Sequence, residues 1–289
     1  MKVSHILRSK KLCLSCEIFP PKEHENLKKA EEVVRKLVEI KPDFISVTYG
    51  AGGGHQKNTV RLASIVQQYK IPALAHLTCV SSNKGTVAKT LNELKENGIE
   101  NILALRGDPP RGQVASLSSE YHYASDLVHD IHQRNDDFCI GAACYPEGHP
   151  ESIHRDDDIL HLKEKVDCGC DFLTTQMFFD NNVFYNYLYR VLSKGIHIPV
   201  IAGIMPVTNA KQIKRISALS GAVLPARFLT MVDRFSGNSA AMRQAGIAYA
   251  TEQIIDLISN GVHAIHIYTM NQPDIAARIF ENLSEIRSA

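Results

Sequence analysis

The chain has 289 residues, with 32 basic and 31 acidic side chains, a formal charge of +1 and 44% hydrophobic residues. That balance supports a full core and gives no general attraction to nucleic acid or to an anionic membrane. No apolar run approaches the roughly 18 residues of a membrane helix, and the opening MKVSHILRSKKLCLSCEIF lacks the apolar core of a signal peptide, so a cytoplasmic protein is expected.

In chain order, short apolar or β-branched runs alternate with longer stretches of helical periodicity. Strands are expected at LCLSCEIF (12–19), FISVTYG (44–50), ALAHLTCV (73–80), NILALRG (101–107), CIGAACYP (139–146), FLTTQMFF (172–179), PVIAGIMP (199–206) and AIHIYTM (264–270). Helices are expected at about 26–40, 58–69, 84–97, 121–134, 156–168, 181–194, 209–219, 240–260 and 273–287. In the first of these, Leu27, Ala30, Val33, Val34, Leu37 and Val38 form the stripe of a helix with one buried face. Gly98, Gly169, Gly195 and Gly261 each follow a helical run, where a left-handed cap belongs.

Strands that alternate with helices pair in parallel through right-handed crossovers. Eight such units in this length fit a closed (β/α)8 barrel, a TIM barrel, as one α/β domain over residues 1–289. An open doubly wound sheet is the alternative, but CEIFPPKE carries no glycine fingerprint after the first strand. The stretch 221–239 is an extra, partly helical excursion before the last strand. The seven cysteines follow no zinc or redox spacing; Cys13, Cys79, Cys139 and Cys144 fall in strand-like runs and read as buried, reduced thiols.

A barrel of this kind places its chemistry at the C-terminal strand ends. Those ends deliver Glu17; Thr48 and Tyr49; His76 and Thr78; Arg106, Gly107 and Asp108; Tyr145, Glu147 and His149; Thr175, Gln176 and Asp180; Met205; and His266, Tyr268 and Asn271. Glu17 stands among Cys16, Ile18 and Phe19. Two states fit it: a carboxylic acid that keeps its proton through desolvation, or an ion pair with lysine or arginine. The loop GAGGG (50–54) either cradles phosphate or simply turns tightly; it is not a GxGxxG fingerprint. His149, His154 and His161, with Asp156–Asp158 between them, match no zinc spacing, and a row of aspartates suits a helix N-terminus.

The strings CEIFPPK, FISVTYGAGG, AHLTCV, ILALRGDPP, YASDLV, AACYPEGHPE, TTQMFFD, IAGIMPVTN and YTMN, in this order from about residue 12 to the end, resemble the flavin-dependent methylenetetrahydrofolate reductases in their bacterial single-domain form. The resemblance implies a (β/α)8 barrel that holds FAD, takes electrons from NAD(P)H, and reduces 5,10-methylenetetrahydrofolate to 5-methyltetrahydrofolate in alternating half-reactions at one site. It implies that Glu17 is a general acid for opening the folate ring. Asp108 would favour a cationic folate intermediate and tune the flavin, with Pro109 and Pro110 stiffening its loop. Arg106 would offset that charge or meet the cofactor phosphates.

The same resemblance places Thr48, His76, Leu105, Arg106, Gly107, Asp108, Tyr123, Ala124, Tyr145, His149, Asp158, Lys165 and Tyr268 around FAD, and Glu17, Asp108, Gln176 and Gln212 on the folate. No metal is implied. Departures stand at His161, Glu164, Ile216 and Gln272, where some relatives carry Asn, Arg, an aromatic and Arg. The implied partners are NAD(P)H and a reduced folate, with no nucleic acid or membrane, in a homo-oligomer or beside a partner subunit that supplies electrons. A flavin-free folate-binding barrel is the other functional class.

Overall fold

The computed structural model describes residues 1–21, 27–49, 56–80, 82–107, 120–134, 136–152 and 154–288; at 56, 57, 155, 212, 214, 215, 218 and 219 the backbone alone is described. Eight parallel strands close in sequence order into a barrel: β1 (Cys13–Ile18), β2 (Ile45–Val47), β3 (Ala73–Thr78), β4 (Asn101–Leu105), β5 (Cys139–Cys144), β6 (Phe172–Thr175), β7 (Val200–Ile204) and β8 (Ala264–Tyr268). Closure comes from β1 pairing with both β2 and β8, with Glu17 opposite Ser46 on one side and Tyr268 on the other. A closed parallel barrel leaves no strand edge unpaired, and its crossovers lay helices over the outer face.

The helices are α1 (Val3–Ser9), α2 (Leu27–Glu39), α3 (Gln56–Gln68), α4 (Lys84–Glu96), α5 (Ala124–Gln133), α6 (Arg155–Asp167), α7 (Asn181–Ser193), α8 (Ala210–Ser220), α9 (Ala226–Phe235), α10 (Ser239–Ser259), α11 (Pro273–Asn282) and α12 (Ser284–Ser288). The expected barrel is therefore present, and α9 is the helical part of the excursion before β8. Gly98, Gly169, Gly195 and Gly261 all have positive φ, as their capping positions require. None of the described helices is long and apolar enough to cross a membrane.

Side chains alternate along each strand between two cores. Outward residues such as Leu14, Cys16, Ile18, Ile102 and Ile267 pack with the helices in the larger cluster. Inward residues at the strand starts, among them Cys13, Phe44, Leu74, Leu103, Phe172 and Ile201, form a separate plug with Val3, Ile6 and Leu7 of α1. Periodicity did not indicate α1. Its seven residues form a helix because they cover the N-terminal opening of the barrel, where Asn101 Oδ1 accepts the Val3 N–H at 2.7 Å. All seven cysteines are free, and all but the half-buried Cys168 are buried. A third cluster, with Phe179, Met205, Phe228 and Met242, lies where α8–α10 meet the ends of β6 and β7. There Gly246 of α10 comes so close to the Val207 carbonyl that an added Cβ would lie 1.9 Å from its oxygen.

Candidate active site

Above the apolar plug the barrel interior becomes polar. Ser15, Ser46 and His266 form one buried group: His266 Nδ1 lies 2.7 Å from Ser15 Oγ, and its Nε2 lies 3.0 Å from Ser46 Oγ. Two residues further toward the mouth on β1 and β8 stand Glu17 and Tyr268. Tyr268 donates its hydroxyl to the Thr175 carbonyl at 2.5 Å. Gly203 makes this bond sterically feasible, since a Cβ there would lie 2.5 Å from the Thr175 oxygen and 2.7 Å from the Tyr268 ring.

Glu17 is 7% exposed, and its Oε2 lies 3.9 Å from His76 Nε2. Burial alone pushes its carboxyl up to about 8, and no lysine or arginine pairs with it among the described residues. Burial pushes His76 down to about 3, and its Nε2 is buried without a hydrogen-bond partner. Near neutral pH both groups are therefore uncharged, and the contact is not an ion pair despite opposite formal signs. Of the two states open to Glu17, the protonated acid is the one its surroundings favour.

Around this acid the strand ends bring several expected residues together. Thr48 follows β2, and its carbonyl accepts the Thr59 hydroxyl at 3.0 Å. Leu105 ends β4 and packs against the inward plug. Gly107 has φ +84, and a side chain there would meet Val80 and Thr78. Tyr145 and His149 stack edge to face at 4.7 Å between ring centres. Gln176 leaves β6 with its backbone N–H donating to the Cys144 carbonyl at 2.7 Å, and shares a wall with Tyr145 and Met177.

Two α6 residues face the same strand end. Lys165 donates to the Ala143 carbonyl at 2.6 Å, and burial pulls its ammonium below the usual lysine range. Asp158 accepts the Ser152 hydroxyl at 3.3 Å. Tyr123 and Ala124 lie at the start of α5, where Tyr123 is 65% exposed while its carbonyl accepts from Cys79 Sγ. Gln212 is on α8, its side chain outside the described set. Asp108, Pro109, Pro110 and the GAGGG loop also lie outside the described residues.

The structure adds one carboxylate to this list, Glu151, and gives a second, the expected Glu147, a partner. Glu151 grips the Arg106 guanidinium with both oxygens, at 2.6 and 2.8 Å. Glu147 accepts the Val223 N–H at 3.0 Å on each oxygen and so ties the segment after α8 to the end of β5. Both belong to the string AACYPEGHPE, which was legible as a motif, but their partners lie 45 and 76 residues away.

The side chains present are compatible with a flavin dinucleotide: Leu105, Met177 and Met205 would offer apolar surface to a ring, Arg106 and Lys165 cations to a diphosphate, and the unpartnered His76 Nε2 a buried hydrogen-bonding group.

Residues 2–284 match the family model described as "Methylenetetrahydrofolate reductase". A relative from Escherichia coli, "5,10-methylenetetrahydrofolate reductase", is 34% identical over 93% of this chain and 90% of its own length. "Methylenetetrahydrofolate reductase (NADH) 1" of Arabidopsis thaliana is 33% identical over 99% of this chain and 50% of its own length. The chain spans about half the length of the plant and fission-yeast relatives it matches. Among solved structures, an uncharacterised protein from Clostridium thermocellum that binds two copies of 5-methyl-5,6,7,8-tetrahydrofolic acid superposes with a TM-score of 0.65 at 16% identity, covering 100% of this chain and 99% of that one.

Proposed function

The chain belongs to the methylenetetrahydrofolate reductase family, and from that premise we propose that it is a flavoenzyme. Its reaction in this reading is reduction of 5,10-methylenetetrahydrofolate to 5-methyltetrahydrofolate with electrons from NAD(P)H. The observation that carries the reading is Glu17: a carboxyl raised to about 8, with no lysine or arginine partner among the described residues, at the mouth of the barrel.

Thr48, His76, Leu105, Arg106, Gly107, Asp108, Tyr123, Ala124, Tyr145, His149, Asp158, Lys165 and Tyr268 would hold FAD, which when bound would supply hydride transfer between the two substrates. The residues do the remainder. Glu17 keeps a proton near neutral pH and gives it to the folate as its five-membered ring opens, which is the work of a general acid with a pKa near working pH. Neutral His76 beside it adds no positive charge that would ionise the acid early. Asp108 would offer negative charge to the cationic folate that results. Gln176 and Gln212 orient the folate, and Tyr268, fixed by Thr175, walls the flavin side.

Purified protein should be yellow, bleach under anaerobic NADH or NADPH, and regain its colour on adding 5,10-methylenetetrahydrofolate. Bleached protein that the folate fails to reoxidise would rule out this reaction. Colourless protein that binds reduced folate would favour the flavin-free barrel, a reading that draws on the folate-binding structural relative.

A further inference from the structure

We propose that Glu151 is a built-in counter-ion for Arg106, which the diphosphate of the incoming dinucleotide must displace, so that this carboxylate limits how tightly the chain loads its flavin. The inference rests on the reading of the barrel mouth as an FAD site.

Arg106 is held from behind. Its carbonyl accepts the Val80 N–H at 2.7 Å, and the next residue, Gly107, has φ +84. The guanidinium then points both terminal nitrogens at Glu151, at 2.6 and 2.8 Å. This two-pronged arrangement is the one that arginine also offers to phosphate, so a carboxylate there occupies the donors a diphosphate would use.

Glu151 is placed by its own loop. Its backbone N–H donates to His149 Nδ1 at 3.1 Å, and His149 rests edge-on against Tyr145. The loop turns at Gly148, with φ +90 and its N–H donating to the Tyr145 carbonyl at 3.0 Å. Ser152, which follows Glu151, is anchored to Asp158. Arg106 holds the Glu151 carboxyl below its usual range, so it is an anion throughout the neutral range.

The two partners differ in exposure. The Arg106 side chain is 28% exposed and the Glu151 side chain 58%. Glu151 can therefore swing into water, whereas the guanidinium stays with the strand end. A half-exposed pair of this kind holds with a modest factor, about fivefold at most. Displacing it lowers dinucleotide affinity by that factor, and any negative charge left beside a bound diphosphate lowers it further. A ligand without phosphate does not meet this competition.

The test is fluorescence titration of flavin-free protein with FAD, ADP and riboflavin, comparing wild type with Glu151→Gln. The substitution should lower Kd about three- to fivefold for FAD and for ADP and leave riboflavin unchanged. Unchanged or weaker FAD binding would overturn the proposal, because Glu151 would then be a surface pair or a support for Arg106. An equal gain for riboflavin would overturn it too, since the effect would not run through phosphate. Wild-type protein that binds neither FAD nor ADP would instead remove the cofactor reading on which the proposal stands.

Discussion

Glu17 Oε2 and His76 Nε2 stand 3.9 Å apart at the barrel mouth, both nearly buried, with no ion pair between them. Burial drives them to opposite neutral forms: the acid is raised to about 8 and the imidazole lowered to about 3. Had the imidazole been protonated, its charge would have pulled the carboxyl down instead. The acid keeps its proton because the site is dry.

Glu17→Gln should therefore separate the two half-reactions. General acids contribute roughly 10²- to 10⁴-fold, so folate reduction should slow by at least about 10²-fold. Flavin reduction by the nicotinamide should stay within about twofold, because no proton from Glu17 enters that step. Anaerobic stopped-flow of each half-reaction measures both. Equal losses in the two halves would show that Glu17 has some other task.

The same proton gives a pH signature. Wild-type folate reduction should hold below about pH 8 and decline above it, while Glu17→Gln should lack that limb. Stability should follow. The folded pKa of Glu17 is raised, so its favourable contribution is complete below the unfolded value of 4.5 and is lost as pH rises to about 8. His76 runs the other way: its folded pKa is lowered, so its contribution is present above 6.5 and is lost as pH falls toward 3. Denaturant unfolding of wild type and Glu17→Gln should show the variant gaining on wild type between those acid and alkaline limits, by a few kcal/mol at most. A pH-independent difference would mean that Glu17 ionises normally.

Much of this architecture was readable from composition and period. Buried strands such as ILAL and VIAGI stand out because both faces of a parallel barrel strand are covered, so the run is apolar throughout. The same rule overextends the sixth strand. Phe178 and Phe179 look like its continuation, but the ladder ends at Thr175; Phe178 then stacks on Phe184, and Phe179 joins the α8–α10 cluster. The plug α1 was hidden because a seven-residue helix without a side-chain cap has too few turns to show a stripe. Glu17 stood out as a lone carboxylate in an apolar run, but whether it keeps a proton or pairs with a cation was not legible: Cys16 and Ile18 beside it face outward, and its burial comes from the barrel interior. The grips of Glu151 on Arg106 and Glu147 on Val223 were not legible either, because no local pattern encodes a partner 45 or 76 residues away.

Two glycines inside the barrel allow a controlled comparison. Gly203→Ala would drive a methyl group into the Thr175 carbonyl and the Tyr268 ring, and Gly141→Ala would drive one into Phe172. Each should cost about 1–3 kcal/mol of stability in thermal or urea unfolding. Only Gly203→Ala should also weaken flavin binding by the folded protein, because it moves Tyr268 at the mouth, whereas Phe172 belongs to the plug below. Equal flavin affinity in the two variants would argue against Tyr268 as a wall of the cofactor site.

Glu147 positions α8 from outside the helix. The helix ends at Gly221, with φ +70 and its N–H on the Ser217 carbonyl, and the Glu147 carboxylate then holds the Val223 N–H on the far side of that turn. Tyr145, Gln176, Met177, Ser220 and Ala222 line the seam this clasp closes. Val223 is 62% exposed, so water can replace the carboxylate on its N–H, and Glu147→Ala should lose only about 1 kcal/mol of stability. The larger effect should fall on the folate. With the end of α8 released, Gln212 is less well placed, and the KM for 5,10-methylenetetrahydrofolate should rise about three- to tenfold while reduction of the flavin by NAD(P)H is unchanged. Faster hydrogen exchange at the amides of 221–224 should accompany the rise. If KM stays fixed while those amides exchange faster, the clasp holds the fold and takes no part in placing the substrate.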